Sequence, residues 1–391
     1  MRVTHCISGL GQGGGGPSRS VPALVRAQER REVQVELLYV RGTDVLRRSC
    51  PRNESALRYT PFFPRGLAAS RELRIALFNG DTPDIYHGHC LWQLPVHSMC
   101  QAARKNGSAC LIAPRGMLEP WALGRSRWRK RAAAWLFQDR DLHRADCLHA
   151  LAPSEVGSFR RYGLRNPIAV VPNAVDLAEF SRLSGAGEAF QDRFPAARDR
   201  PLALFLSRLH PKKGLLHLVE AWKWAHPRFP DWLLVIVGPD DVGHRREVEK
   251  KVRGLEIQDA VLFTGPLYGE DKLEALAAAD FFVLPSFSEG FSMAVLEAMA
   301  CRLPVLIAPG CNFPEVEAKG AGLVVEPSAK AVEDGLRTLM AMSDAQRRGM
   351  GQRGRRMIEE RYTWDRVAGQ MIQVYEWLLN GGNRPPCVVI D

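Results

Sequence analysis

Two glutamates, Glu289 and Glu297, bracket a stretch whose residue types could hold an anion and a polyol together. The segment reads FFVLPSFSEGFSMAVLEAMA over residues 281–300. Its first four residues form an apolar run of the length expected for a buried strand. A Pro-Ser-Phe-Ser-Glu-Gly loop follows, in which Gly290 frees the backbone to turn. Met293, Leu296 and Ala300 then fall on one face of a helix. A strand, a tight loop and a helix start bind anions because unpaired amides and the positive end of the helix dipole point outward together. Two carboxylates would repel a phosphate, yet carboxylates accept strongly from hydroxyls. A ligand carrying both a diphosphate and sugar hydroxyls satisfies both halves of this segment. The competing view is a surface loop with solvated glutamates, since Glu-x7-Glu by itself recurs by chance. The strand, Gly290 and the helix around it favour binding.

These elements belong to a longer alternation. A strand over 2–7 leads into a glycine-rich loop over 8–18, a helix over 19–31 and a second strand over 33–40. Gly9-x-Gly11-x-x-Gly14 matches the dinucleotide fingerprint, but that motif needs an acid at the end of the second strand. Here that strand ends Tyr39-Val40-Arg41, and its one acid, Glu36, is mid-strand, so a nicotinamide cofactor is disfavoured. The loop, with Gly14 and Gly15, still reads as a place where a ligand approaches the backbone closely. Residues 41–66 look irregular and basic. Further strands are expected at 84–87, ending in His87-Gly88-His89, and at 110–113, ending in Pro114-Arg115-Gly116. Residues 181–200 are polar and pattern-poor, a candidate domain junction. Alternation then restarts at 202–207, so two doubly wound α/β domains facing each other across a cleft are expected. The tail over 380–391 reads as loosely held.

At 391 residues, with 46% hydrophobic and 25% charged residues, the chain suits two soluble domains with their own cores. No run approaches a membrane span, the start reads as a strand and not a signal peptide, and nine cysteines without a CxxC pair suggest neither zinc nor a disulfide framework. A cytoplasmic protein is the expectation. The net charge of +10 suits anionic partners, but no nucleic-acid-binding pattern is present. Much of that charge lies in 121–144, where Trp121, Trp128 and Trp135 recur every seven residues. Either the indoles form a core stripe or this segment docks peripherally on an anionic membrane, at its inner face.

The spaced motifs resemble the GT-B-fold retaining glycosyltransferases of family 4 (glycosyltransferase group 1). Ser207-Arg208-Leu209-x3-Lys213-Gly214 is similar to the family's G-R-L-x3-K-G, with serine in place of the first glycine. Val237-Gly238-Pro239, Phe263-Thr264-Gly265, Pro172-Asn173-Ala174-Val175-Asp176 and the Glu289–Glu297 pair resemble further motifs. The resemblance implies an N-terminal acceptor-side domain over 1–180, a nucleotide-sugar donor domain over 181–365, and a helix over 366–391 crossing back. It also implies transfer of a sugar from a UDP- or GDP-linked donor to a glycan or lipid-linked hydroxyl acceptor with retention, as in polysaccharide biosynthesis, without cofactor or metal. Arg208 and Lys213 would neutralise the departing diphosphate, Glu297 accept from the ribose, and Glu289 stand near the donor sugar with the amides of Gly290, Phe291 and Ser292. The family's active-site histidine slot holds Arg115 here, which makes Arg115 and His89 candidates for the acceptor side or donor phosphate. Arg302 stands where the family has glycine; a positive φ there would cost about 1 kcal/mol. An epimerase of the same fold, or a non-catalytic relative, are the other readings.

Overall fold

The computed structural model describes residues 1–10, 15–41, 54–58, 65–181, 185–240 and 242–390. The chain divides into two compact units, one made of Met1–Asn173 with Trp364–Asp391 and the other of Ala174–Thr363.

The first unit carries β1 (Arg2–Ile7), β2 (Gln34–Arg41), β3 (Glu54–Arg58), β4 (Ile85–His89), β5 (Ala109–Ala113), β6 (Cys147–Ala150) and β7 (Ile168–Val170). The second carries β8 (Leu202–Leu206), β9 (Leu233–Val237), β10 (Val261–Gly265), β11 (Phe281–Leu284), β12 (Val305–Ile307) and β13 (Gly322–Val324), and β14 (Val388–Val389) returns to the first sheet. The strand orders are β14-β7-β6-β5-β4-β1-β2-β3 and β10-β9-β8-β11-β12-β13. Counted within each unit, both therefore contain the doubly wound order 3-2-1-4-5-6, with the order reversing between β1 and β4 and between β8 and β11. All pairings are parallel except β14 with β7.

Parallel sheets are covered by helices on both faces, which is why their strands are apolar throughout and not alternating. Every residue of β9 and β11 is buried. Each of the large side chains in β11, Phe281 and Phe282, contributes roughly 2–3 kcal/mol by leaving water.

Several expectations are corrected. Within 41–66 the chain forms β3, an edge strand beside β2, while most of the remaining residues lie outside the described ones. The C-terminal tail is not loose: β14 pairs antiparallel with β7 and buries Val388. The polar segment after 181 contributes helix Ala186–Arg193, which buries Phe190 and pairs Arg193 with Asp271 and Glu274 of helix Glu270–Ala278. The division between units falls after Asn173. Helix Trp364–Asn380 packs on helix Pro17–Glu29 in the first unit, where Arg31 holds Asp365 through two N–H groups.

The tryptophan segment is no core stripe. It breaks into helices Pro120–Gly124 and Arg127–Ala133, a π-turn at Ala134–Gln138 and helix Asp139–His143. Ser126, at φ +51°, interrupts the seven-residue register, and Trp128 and Trp135 are 80% and 85% exposed.

Candidate functional site

In the second unit, the loop after β11 is stitched to the loop after β8. The Phe287 amide and the Ser286 hydroxyl both donate to the Lys212 carbonyl, at 2.8 and 3.1 Å. Gly214, at φ +73°, closes this contact: a Cβ there would meet the Pro285 carbonyl oxygen at 2.1 Å. On its other side the loop is held by the turn Pro309–Cys311. The Glu289 amide donates to Gly310, and Asn312 Nδ2 donates to the Glu289 and Gly290 carbonyls at 2.6 and 3.2 Å. The close approaches that require glycine are thus at Gly214 and Gly310, where a Cβ would strike the backbone of 286–287.

This stitching brings four expected residues together with two that sequence reasoning missed. Glu289 accepts from Lys213 Nζ, and both are buried. Burial alone would raise the Glu289 carboxyl, but Lys213, Lys212 and the Ser286 hydroxyl outweigh it and hold it below the usual carboxylate range. Glu289 is therefore ionised at neutral pH, a hydroxyl acceptor and not a proton donor. Burial pushes the neighbouring Lys212 ammonium down to about 8, with Glu289 opposing and Lys213 and Arg208 adding to the fall. Glu297, in helix Met293–Ala300, is buried and pairs at 2.7 Å with Lys272 Nζ from helix Glu270–Ala278. Arg208, beyond the end of β8, is half-buried. Ser292 is the N-cap of helix Met293–Ala300 without a side-chain capping bond, and the first turn has no acid, as suits an anion. The Phe291 ring packs on Phe313 and Tyr362, so the expected role at this residue falls to its amide. Lys272 was missed because nothing local marks one lysine of an exposed-looking helix as the partner of a glutamate 25 residues on.

Arg302 has φ +63°. Its amide donates to Met299 and the Leu303 amide to Ala298, a Schellman closure of the helix with arginine in the left-handed position that glycine usually takes. The exposed arginine is thus a strained helix cap.

In the first unit, His89 and Arg115 meet. Arg115, at φ +54° and 9% exposed, donates through Nε and Nη2 to His89 Nδ1 at 3.3 and 3.2 Å, and through Nη1 to Ser20 and Asn173. Around them lie three further buried histidines, His5 on β1, His87 on β4 and His149 on β6, with Gln28 and Tyr375 from the covering helices. Sequence reasoning placed His87 only at a strand end and passed over His5 and His149. The missed signal was a histidine inside each of three apolar strands. Burial lowers His5 to about 4 and His149 to about 3, and it drives His87 and His89 well below the ordinary value of 6.5. Gly15 has φ +66° ahead of helix Pro17–Glu29; Gly14 lies outside the described residues. Asp139 and Asp141 serve structure: Asp139 accepts from Tyr162, and buried Asp141 binds His97 and Arg104.

The comparisons bear first on the fold. Sucrose-phosphate synthase from Thermosynechococcus elongatus superposes with a TM-score of 0.82 at 23% identity, over 98% of this chain and 100% of that one. The Anabaena HepE structure in complex with UDP-glucose gives 0.77 at 17%, over 96% and 99%. WaaG, a glycosyltransferase involved in lipopolysaccharide biosynthesis, gives 0.72 at 17%, over 97% and 100%. These identities speak for a shared GT-B fold.

The sequence model of the family "Glycosyl transferases group 1" matches residues 188–357, and that of the "Glycosyl transferase 4-like domain" matches residues 15–174. The chain belongs to the group 1 glycosyltransferases. D-inositol 3-phosphate glycosyltransferase of Jonesia denitrificans is 28% identical over 297 residues, 73% of this chain and 66% of that protein. Alpha-maltose-1-phosphate synthase of Mycolicibacterium smegmatis is 31% identical over 232 residues, 56% of this chain and 59% of that protein. The matches thus span less than two thirds of these curated relatives.

Proposed function

We propose that the protein transfers a sugar from a nucleotide diphosphate sugar to a hydroxyl acceptor with retention of configuration. The observation that carries this is the pair of buried acid–lysine contacts, Glu289–Lys213 and Glu297–Lys272, set around one helix start in the unit the group 1 model matches. Such a set offers fixed cations and amides to a diphosphate and ionised carboxylates to hydroxyls. Arg208 and Lys213 take the leaving diphosphate, Glu297 the ribose, and Glu289 the donor sugar. An ionised Glu289 suits a substitution in which the leaving phosphate itself takes the acceptor's proton on the same face. Lysine and arginine charges at the diphosphate supply the neutralisation that a metal would otherwise bring, so no cofactor enters. HepE's complex with UDP-glucose supports a nucleotide-sugar donor. The acceptor is a glycan or lipid-linked oligosaccharide, and the exposed Trp128 and Trp135 among Arg127, Arg129 and Arg131 suit peripheral docking on anionic lipid. Among the described residues no helix is long and apolar enough to cross a membrane.

The test is a thermal-shift screen of UDP, GDP, ADP and TDP on the wild type and on Lys272→Met/Glu297→Gln, which removes both charges and strands neither. A nucleotide-selective rise on the order of 5 °C, lost in the double variant, is expected. No rise with any nucleotide, or the same rise in both proteins, overturns the donor site. Flotation with acidic liposomes checks docking, and a Trp128→Ala/Trp135→Ala protein that floats as well as wild type removes it.

A further inference from the structure

The C-terminal segment of the first unit folds back on its own helix and leaves a hollow there. Helix Trp364–Asn380 buries Val367, Met371, Val374 and Tyr375 along one face. Gln373, Glu376, Trp377 and Asn380, at i, i+3, i+4 and i+7, share a second face. The Gly381 amide closes the helix on the Trp377 carbonyl at 2.9 Å, and the chain then reverses. Gly381 and Gly382 have φ +69° and +87°, and a Cβ at either would meet nothing, so glycine serves the backbone there and not a close approach. The returning tail is pinned by β14: the Val388 amide donates to the Pro385 carbonyl at 2.9 Å, and the Val170 amide of β7 to the Cys387 carbonyl at 2.8 Å. Between the second helix face and this pinned tail lies a cavity of about 370 Å³, to which the tail adds Asn383, Arg384 and the buried Pro385. That volume is within the range of small-molecule sites.

The groups around this cavity are uncommitted to the fold. Among the described residues, the side chains of Gln373, Glu376, Asn380, Asn383 and Arg384 make no hydrogen bond or ion pair. Glu376 and Arg384 line the same hollow without pairing with each other, so the site has no net charge while each charge stays free to bind. Trp377 is half-buried, yet no ring or cation of the described residues covers its indole and no protein group accepts from its N–H. Polar side chains scattered over a convex surface are merely solvated; here five converge on one aromatic ring in a concavity. A sugar ring matches each part. Its hydroxyls both donate and accept, as side-chain amides do, while a carboxylate accepts and a guanidinium donates. Its C–H face is weakly positive and lies against the negative face of an indole. The cancelled charge speaks against a phosphate or a polyanion.

We propose that this cavity, made of first-unit residues alone, is a saccharide-binding site for one or two neutral sugar rings, with Trp377 as the stacking surface and the three amides, Glu376 and Arg384 as hydroxyl partners. That it holds a glycan acceptor away from its reacting end rests on the transfer reading above; the binding rests only on the cavity. The experiment is saturation-transfer NMR of the full chain with maltose, cellobiose and mannobiose. Expected is saturation concentrated on the C–H protons of one ring, with affinity falling at least about tenfold in Trp377→Ala. Asn380→Ala/Asn383→Ala, at exposed positions outside the core, should weaken binding about three- to tenfold and decides the matter if Trp377→Ala does not fold. Raising salt to about 0.5 M should leave the affinity unchanged. Absence of saturation on all three sugars, equal affinity in wild type and the asparagine double variant, or an affinity that falls with salt overturns the proposal. The nucleotide thermal shift keeps the two readings apart. It should survive Trp377→Ala and vanish in Lys272→Met/Glu297→Gln, whereas the sugar signal should do the reverse.

Discussion

The two units solve one problem in opposite ways. Each has a topological switch point, between β1 and β4 or between β8 and β11, where strand ends open a place for a ligand. At the second switch point polar groups are buried as ion pairs, Glu289 with Lys213 and Glu297 with Lys272. At the first they are buried as neutral rings relayed by a tyrosine and an amide, with Arg115 donating to His89 at the end. Ion pairs hold charge where it is needed but fail when one partner is removed. Neutral rings avoid the cost of buried charge but fail when protonated. The same fold therefore carries two different weaknesses.

Acid gives the largest separation. Each buried ring has a folded pKa below its ordinary 6.5, so between the two values protons bind the unfolded chain preferentially. The stability from each ring is fully present above about pH 6.5 and is lost as pH falls toward 4, at up to ~1.4 kcal/mol per pH unit per ring. Glu155, raised by burial to about 7, works against this and offsets about one ring's share between pH 7 and 4.5. Glu289, held below its ordinary value by Lys213 and Lys212 against the effect of burial, stays charged at pH 5 as at pH 7. Hydrogen exchange at pH 7 and pH 5 should show protection collapsing in β1, β4 and β6 first. Parallel loss in both sheets would erase the contrast.

Next in size is the second switch point. Glu297→Ala strands the Lys272 ammonium in a buried site and should cost about 3–5 kcal/mol in urea denaturation. Lys272→Met/Glu297→Leu should lie within about 1 kcal/mol of wild type, because hydrophobic replacement of a whole buried pair is often neutral. A double variant as damaged as the single one would show that the pair contributes net stability. Tyr375→Phe should cost about 1–3 kcal/mol by leaving His87 Nδ1 and a Gln28 N–H without partners. An unchanged urea midpoint would mean that this hydrogen-bond relay is already broken there. The smallest effect has the opposite sign. Arg302→Gly relieves a left-handed arginine and should stabilise by about 1 kcal/mol, raising the melting temperature a few degrees.

The candidate site of the second unit was legible because its signal is local. Strand, loop and helix start are contiguous in 281–300, and Gly214, Arg208 and Lys213 sit in one short motif, so their types and spacing already carry the chemistry. Elements with strong apolar runs were legible for the same reason. What was not legible depends on partners far apart in the chain. Lys272 acquires meaning from Glu297, Tyr375 from His87 at a separation of 288 residues, and the tail from the edge of β7. The tryptophan repeat misled because the seven-residue spacing assumes an unbroken helix, and Ser126 with the π-turn breaks it. By itself, then, the sequence determined two doubly wound units and the strand, loop and helix start over 281–300 in the second, since local hydrophobic pattern and turn chemistry act over a few residues. Only the tertiary structure decided which buried charges are paired and which rings are neutral. A proton's place on a histidine depends on what stands opposite each nitrogen, and that is set by the register of β1 against β4 and by the helix covering them.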